Sequence, residues 1–171
     1  MMVQIRKAGL DDLQSIHDMA QVVFRNTYKD ILSPEQMEYM MEMMYSFPNL
    51  RKQLEEGHHY YIAQNGDNRL GYVSLQHEGA DEEGTEVFHL HKIYVMPDAQ
   101  GQGVGKILFD TAIDHAKQIA AGRKARIELN VNRYNKAVDF YRHIGMRVLL
   151  EEDFPIGDGF YKTDYIMGLD V

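Results

Sequence analysis

The sequence predicts a mixed α/β domain, and three observations support this prediction. Short runs rich in β-branched and aromatic residues alternate with runs whose apolar residues recur every three to four positions, which is typical of alternating strands and helices. The 171 residues suffice for one sizeable core, and 44% hydrophobic with 26% charged residues is an ordinary globular composition. The sequence has no linker, internal repeat or low-complexity segment, so we expect residues 1–171 to form a single domain.

The first half of the chain is predicted to contain a strand, three helices and a strand pair. Residues 3–7 form the first strand, and the acidic residues Asp11 and Asp12 then open an amphipathic helix. Ser33 is the expected N-cap of the second helix, with Pro34 at its first position. The remaining elements of this half are a short helix at 50–56 and strands at 60–64 and 70–76.

The second half is predicted to alternate strands with helices and to end in a strand pair. An acidic loop at 79–84 precedes these elements and is expected to be solvated. Asn135 is the expected cap of the last helix, and Gly145 stops it. The elements are strands at 87–95 and 125–131, helices at 104–122 and 135–145, and strands at 146–151 and 162–169.

The loop before the first helix of this half carries three alternate glycines, Gly101, Gly103 and Gly105. Glycines let the backbone approach a ligand closely, and a helix start presents free N–H groups and a positive dipole end, so we expect a phosphate or pyrophosphate here. The dinucleotide fingerprint fails because Lys106 stands where the third glycine belongs. The P-loop fails because Ile107 replaces the hydroxyl residue that would hold magnesium.

A third pattern, V-x-P-x-x-Q-G-x-G-x-G over residues 95–105, resembles the acetyl-CoA pyrophosphate loop of the GNAT superfamily of N-acetyltransferases, Q/R-x-x-G-x-G/A. The order of predicted elements is similar to the whole GNAT fold, so the resemblance covers nearly the entire chain. It implies a mixed, mostly antiparallel sheet with flanking helices. In that sheet the strands ending at Val95 and Val131 are parallel neighbours that splay apart and admit the pantetheine arm of acetyl-CoA.

The segment from Asn132 to Met146 resembles the GNAT run N-x-x-A-x-x-F-Y-x-x-x-G-F, with Met146 in place of the last phenylalanine. The resemblance implies that Asn135 contacts the cofactor arm and that Tyr141 protonates the leaving thiolate. Backbone groups of Ile93 and Val95, at the end of the strand before the glycine loop, would bind the pantetheine, and the Val95 N–H is a candidate oxyanion donor. The implied cofactor-binding residues are Ile93, Tyr94, Val95, Gln100, Gly101, Gln102, Gly103, Val104, Gly105, Lys106, Asn132, Asn135 and Tyr141.

His89 and His91 are the candidate bases for removing a proton from the amine. Residues two apart on a strand point to the same face, and an imidazole pKa near about 6.5 suits a base at neutral pH. An ordinary half-buried pair is one alternative. A metal site is another, but it needs a further ligand that the sequence does not identify nearby, so no metal is expected. The pair resembles the corresponding strand of arylalkylamine N-acetyltransferases, where two histidines relay the amine proton, and His89 coincides with a glutamate found in many GNAT members.

Composition limits the partners. A net charge of −8 without a long basic run argues against nucleic acid, and the absence of cysteine excludes disulfides and thiolate metal sites. No signal pattern or long apolar stretch occurs, so we expect a cytoplasmic protein without membrane contact.

The expected activity is acetyl transfer to a small-molecule amine, with a small amine or polyamine favoured. Weak likeness to polyamine and diamine acetyltransferases at 28–35 and 164–167 supports that preference. A protein lysine or N-terminal acetyltransferase, a non-catalytic acetyl-CoA sensor and a homodimer stay open. Carboxylates that could hold a cationic acceptor are Asp30, Glu35, Glu38, Glu42, Asp153 and Asp158.

Overall fold

Seven strands form one mixed sheet in the order β1-β2-β3-β4-β5-β7-β6 in the computed structural model, which describes residues 2–171. The strands are β1 (Gln4–Lys7), β2 (His58–Asn65), β3 (Asn68–Ala80), β4 (Glu86–Val95), β5 (Ala125–Asn132), β6 (Arg147–Gly157) and β7 (Phe160–Asp170). The helices are α1 (Leu13–Tyr28), α2 (Pro34–Tyr45), α3 (Phe47–Glu55), α4 (Val104–Ala120) and α5 (Ala137–His143). Among residues 2–171, none of these helices combines the length and apolar character needed to cross a membrane.

The parallel contact between β4 and β5 is short. It runs only from Glu86 opposite Ala125 to His89 opposite Glu128, and the two strands diverge beyond that point. Every other neighbouring pair in the sheet is antiparallel. The predicted fold class, a mostly antiparallel sheet with one splayed parallel pair and flanking helices, is confirmed.

Two apolar cores lie on opposite faces of the sheet. One joins α4 and α5 to the sheet through residues such as Leu108, Phe88 and Ile127. The other joins α1, α2 and α3 to β2 and β3, and it includes Met37, Met40 and Met41 of α2 and a group of buried tyrosines. The first of these cores packs against β4, α4 and β5, so it fixes the positions of the two diverging strands and of the helix that connects them.

A β-bulge in β4 changes which side chains face each core. Leu75 of β3 pairs with Leu90, but the preceding Ser74 pairs with Lys92, so His91 is an extra residue in β4. Because side chains alternate along a strand, one extra residue exchanges the two faces. Leu90 therefore packs in the α4 core, whereas Lys92 points toward α2 and α3.

The predicted boundaries of several elements need correction. α3 begins at Phe47 instead of residue 50 because Ser46 caps it, and α5 spans Ala137–His143 instead of residues 135–145. The acidic loop is not simply solvated. Asp81 accepts hydrogen bonds from two backbone N–H groups of its own turn and pairs with Arg126, so its carboxylate organises the turn.

The cap predicted for α2 is present, and the hairpin of β6 and β7 docks on this helix. The Ser33 hydroxyl accepts from the Gln36 N–H at 3.1 Å. The Gln36 side chain donates to the Tyr161 carbonyl at 2.8 Å, and the Tyr39 hydroxyl donates to the Ile156 carbonyl at 2.8 Å. These two bonds tie the hairpin to α2.

Candidate active site

The divergence of β4 and β5 opens a cleft of about 930 Å³. Its walls are the carboxyl-terminal halves of the two strands, the glycine loop with the start of α4, the segment leading into α5, and the end of α1. Within residues 2–171, the edge of β4 that faces β5 has no strand partner beyond His89. Backbone polar groups on such an edge require a partner when water is excluded, so this edge suits an extended polar ligand.

The glycine loop meets the cleft at the N-terminus of α4. Gly101 and Gly103 have φ values of +76° and +81°, in the left-handed region that side chains disfavour. A Cβ at Gly103 would meet no atom within 4 Å, which leaves free space beside the loop. The first helical hydrogen bond runs from the Ile107 N–H to the Gly103 carbonyl at 3.2 Å, so the N–H groups before it lack helical partners. This end of the 17-residue helix is suited to an anion.

Most of the predicted cofactor residues line the cleft, but Gln102 and Asn132 do not. The residues that line it are Ile93, Tyr94, Val95, Gln100, Gly101, Gly103, Val104, Gly105, Lys106, Asn135 and Tyr141. The Asn132 side chain accepts from the Tyr134 N–H at 2.9 Å and contacts Thr163 at 3.4 Å, so it stabilises the turn after β5. The Gln102 side chain lies 3.4 Å from the Asp98 carbonyl.

Tyr141 of α5 and Asn135, in the segment that leads into α5, both line the same wall of the cleft. Burial raises the pKa of Tyr141, and nearby Tyr28 raises it further, so its hydroxyl remains a proton donor at neutral pH. The N-cap of α5 is Lys136 and not Asn135 as predicted, but Asn135 Oδ1 accepts from the Ala137 N–H at 2.9 Å and so stabilises the first residue of the helix. Its Nδ2 donates to the Tyr28 hydroxyl at 3.3 Å, which in turn lies 3.4 Å from the Tyr94 hydroxyl.

The two predicted histidines lie together, and only His91 lines the cleft. The ring centroids of His89 and His91 are 4.5 Å apart. Burial lowers the pKa of His91 to about 2, with the neighbouring His89 adding to the effect. Burial also lowers the pKa of His89, while Glu78, 3.6 Å away, opposes that shift. Both imidazoles are therefore neutral at physiological pH, which leaves each with a nitrogen lone pair.

Sequence reasoning missed His58 and Lys92. His58 of β2 stacks on His91 with ring centroids 4.3 Å apart and an angle of 15° between the rings. The Lys92 ammonium is buried and donates to the Met44 carbonyl, Gln53 Oε1 and the Tyr60 hydroxyl at 3.1, 2.8 and 2.5 Å. The only hint in the sequence is a second histidine pair, His58 and His59, at the start of a strand.

The side chains of residues 2–171 do not bring three His, Cys, Asp or Glu residues together in a group that could hold a metal ion. The cleft is lined by the Tyr141 hydroxyl, the His91 imidazole and backbone N–H groups of the glycine loop. Those groups provide a proton donor, a proton acceptor and an anion site around one cleft.

The family model of the Acetyltransferase (GNAT) family matches residues 18–146. The chain therefore belongs to the GNAT acetyltransferase family, and the resemblance inferred from the glycine loop is confirmed.

Two curated relatives are similar to parts of the chain. An uncharacterized N-acetyltransferase of Methanocaldococcus jannaschii is 34% identical over 101 residues, which are 58% of this chain and 42% of that protein. The peptidyl-lysine N-acetyltransferase YjaB of Escherichia coli is 26% identical over 120 residues, which are 70% of this chain and 65% of that protein. The chain thus spans less than two thirds of the length of these relatives.

Solved structures share the fold at low sequence identity. The PaiA N-acetyltransferase of Thermoplasma acidophilum, solved in complex with coenzyme A, superposes with a TM-score of 0.79 at 23% identity, covering 100% of both chains. A GCN5-related N-acetyltransferase of Rhodopseudomonas palustris gives a TM-score of 0.81 at 19% identity, covering 100% of this chain and 97% of the other.

Proposed function

We propose that this protein is an N-acetyltransferase that moves the acetyl group of acetyl-CoA directly to a primary amine within a ternary complex. The observation that carries the proposal is the cleft between β4 and β5, which joins an anion-binding helix end to a buried tyrosine hydroxyl and a neutral imidazole. Family membership and the coenzyme A complex of the PaiA relative support the same cofactor.

The cleft fits acetyl-CoA at two points. The pyrophosphate would lie on the backbone N–H groups of residues 100–106, where the left-handed glycines leave space beside the loop. The pantetheine amides would pair with the backbone of Ile93 and Val95, on the edge of β4 that lacks a strand partner.

The reaction requires three groups from the protein. His91 takes the proton of the amine, directly or through water, with His89 as a second acceptor beside it. The amine nitrogen then attacks the thioester carbonyl, and the Val95 N–H donates to the oxyanion that develops. As the C–N bond forms and the C–S bond breaks, the Tyr141 hydroxyl gives its proton to the departing thiolate. The products are the acetylated amine and the free thiol of coenzyme A.

The acceptor is a primary amine on a flexible chain. A small amine or polyamine is the preference from the sequence, and Asp30 is the one candidate carboxylate that lines the cleft. Glu38 forms an ion pair with Arg25, and Asp153 forms one with Arg133, so these carboxylates would attract a cationic substrate less strongly. A lysine side chain of a protein is the second candidate, because the relative YjaB is a peptidyl-lysine N-acetyltransferase.

A release assay for the coenzyme A thiol tests the function. The panel comprises a diamine, a polyamine, an arylalkylamine and a lysine-containing peptide, with the same peptide carrying acetyl-lysine as its matched control. Turnover with any free amine supports the enzyme. Binding of acetyl-CoA by calorimetry without turnover of any amine would support the alternative of a sensing module. The single-domain organisation, the cytoplasmic location and the lack of nucleic-acid or membrane partners stay predictions from the sequence, and a homodimer stays open.

A further inference from the structure

Gln76 of β3 contacts the cleft histidine from the neighbouring strand. Its Nε2 donates to the Glu56 carbonyl at 2.9 Å, and its Oε1 lies 3.0 Å from His91 Nε2. Gln76 and His89 are direct cross-strand partners, and the bulge at His91 brings the next histidine within reach of the same side chain. Gln76 has no role in the proposed acetyl transfer so far.

The Glu56 carbonyl determines which way the Gln76 amide points. A carbonyl oxygen only accepts hydrogen bonds, so the amide group facing it is the NH₂. The opposite orientation would place two acceptor oxygens 2.9 Å apart. Gln76 Oε1 therefore faces His91, and His91 Nε2 must carry the hydrogen that this bond requires.

A neutral imidazole with hydrogen on Nε2 has its lone pair on Nδ1. We propose that Gln76 is a positioning residue that fixes His91 in this tautomer, so that Nδ1 is the nitrogen that accepts the proton of the amine. The part of this inference that concerns turnover rests on the proposed function. The part that concerns the tautomer does not.

The charges around His91 favour its neutral form and leave the choice of tautomer to Gln76. The groups that face the histidine pair are His58 of β2, His89 and Lys92 of β4, Lys162 of β7, and, toward His89, Glu78 of β3 and Glu128 of β5. Lys92, Lys162 and the neighbouring imidazoles of His58 and His89 all oppose a positive charge on His91.

Nitrogen-15 NMR of the histidine rings in the free protein measures the tautomer without any turnover. In the native protein, we expect the His91 ring to carry hydrogen on Nε2 throughout pH 5–8. Gln76→Met keeps the size of the side chain and removes the acceptor, so both tautomers should appear. Gln76→Glu supplies a carboxylate, which should raise the midpoint of the His91 titration by about one pH unit or more.

Kinetics provide the second measurement. Gln76→Met should lower kcat about 10- to 100-fold, the usual effect of removing a group that orients a functional imidazole, while KM for acetyl-CoA stays unchanged. Gln64→Met is the matched control, because Gln64 lies on β2 and only accepts a 3.4 Å bond from Arg6. That variant should keep both the NMR pattern and kcat.

Two results would overturn the inference. One is a native His91 ring with hydrogen on Nδ1, and the other is a Gln76→Met variant with an unchanged tautomer. If the protein shows no acetyl transfer, the proposed function fails, but the NMR measurement still decides the tautomer. Gln76→Ala also removes the acceptor and keeps the test available if Gln76→Met does not fold.

Discussion

Lys92→Met should change how the free energy of unfolding depends on pH. Burial lowers the pKa of Lys92 from 10.5 to about 7. The unfolded chain therefore binds this proton more tightly than the folded protein between those two values, and native stability rises with pH across that window. The difference between the two Lys92 pKa values corresponds to about 5 kcal/mol of unfolding free energy, at about 1.4 kcal/mol per pH unit. Methionine has no proton to lose, so the variant lacks this contribution.

Urea unfolding of both proteins at pH 6, 7, 8 and 9 measures the effect. The difference in unfolding free energy, native minus variant, should grow by about 3 kcal/mol between pH 6 and 9, with its slope concentrated above pH 7. This is an upper bound, because three acceptors and the Tyr45 ring, 4.3 Å from Nζ, also favour the ammonium. Lys52→Met, at an exposed lysine of α3, is the matched control. The reasoning would be refuted if the difference in unfolding free energy between the native protein and Lys92→Met stayed constant from pH 6 to 9.

Three further predictions concern the proposed acetyl-transfer site. Gly103→Val should abolish acetyl-CoA binding in calorimetry. Gly84 has a similar φ of +82° but lies far from the cleft, so Gly84→Val should bind acetyl-CoA normally. Equal affinities of the two variants would refute the assignment of the glycine loop. Tyr141→Phe should keep acetyl-CoA affinity but lower kcat by about 10²- to 10⁴-fold, and native turnover would leave the hydroxyl a structural role. Burial lowers the pKa values of His89 and His91 from 6.5, so the rate of acetyl transfer should rise with pH below 6.5 as the imidazoles lose their protons. Replacing both histidines by glutamine should remove this rise. An unchanged pH profile of the rate would show that another group accepts the proton of the amine.

Local patterns predicted the parts of the site that a short segment determines by itself. The glycine loop could be identified because left-handed glycines and a helix start are properties of neighbouring residues. The cap at Ser33 and the role of Asn135 at the start of α5 were predictable for the same reason, since each side chain bonds an N–H two or three residues away. The splayed strand pair came from the resemblance to the GNAT family, and the fold confirms it.

Features that depend on another strand or helix could not be read from the sequence. Strict alternation through 89–94 places Lys92 on the same face as Leu90, whereas the bulge at His91 exchanges the faces. The bulge arises from the pairing with β3, so nothing within β4 signals it. The acceptors of the Lys92 ammonium come from α2, α3 and β2, which are brought together only by packing. Gln76 escaped notice because its partners, Glu56 and His91, lie far from it in sequence.

The brief contact between β4 and β5 has a consequence for local unfolding. It divides the sheet into two half-sheets, β1–β4 and β5–β7–β6, whose strands pair over a single short ladder from Glu86 to His89. The core below α4 and the bonds from α2 to the hairpin also connect the two half-sheets. Backbone amides along the divergence lack the strand pairing of the β3–β4 ladder, so they should exchange hydrogen with solvent earlier than the amides of that ladder. A ligand that binds between β4 and β5 contacts both half-sheets and takes the place of strand pairing there. It adds RT ln(1 + [L]/Kd) to the free energy of unfolding of the protein. The lifetime of the folded protein is then coupled to the concentration of its own co-substrate.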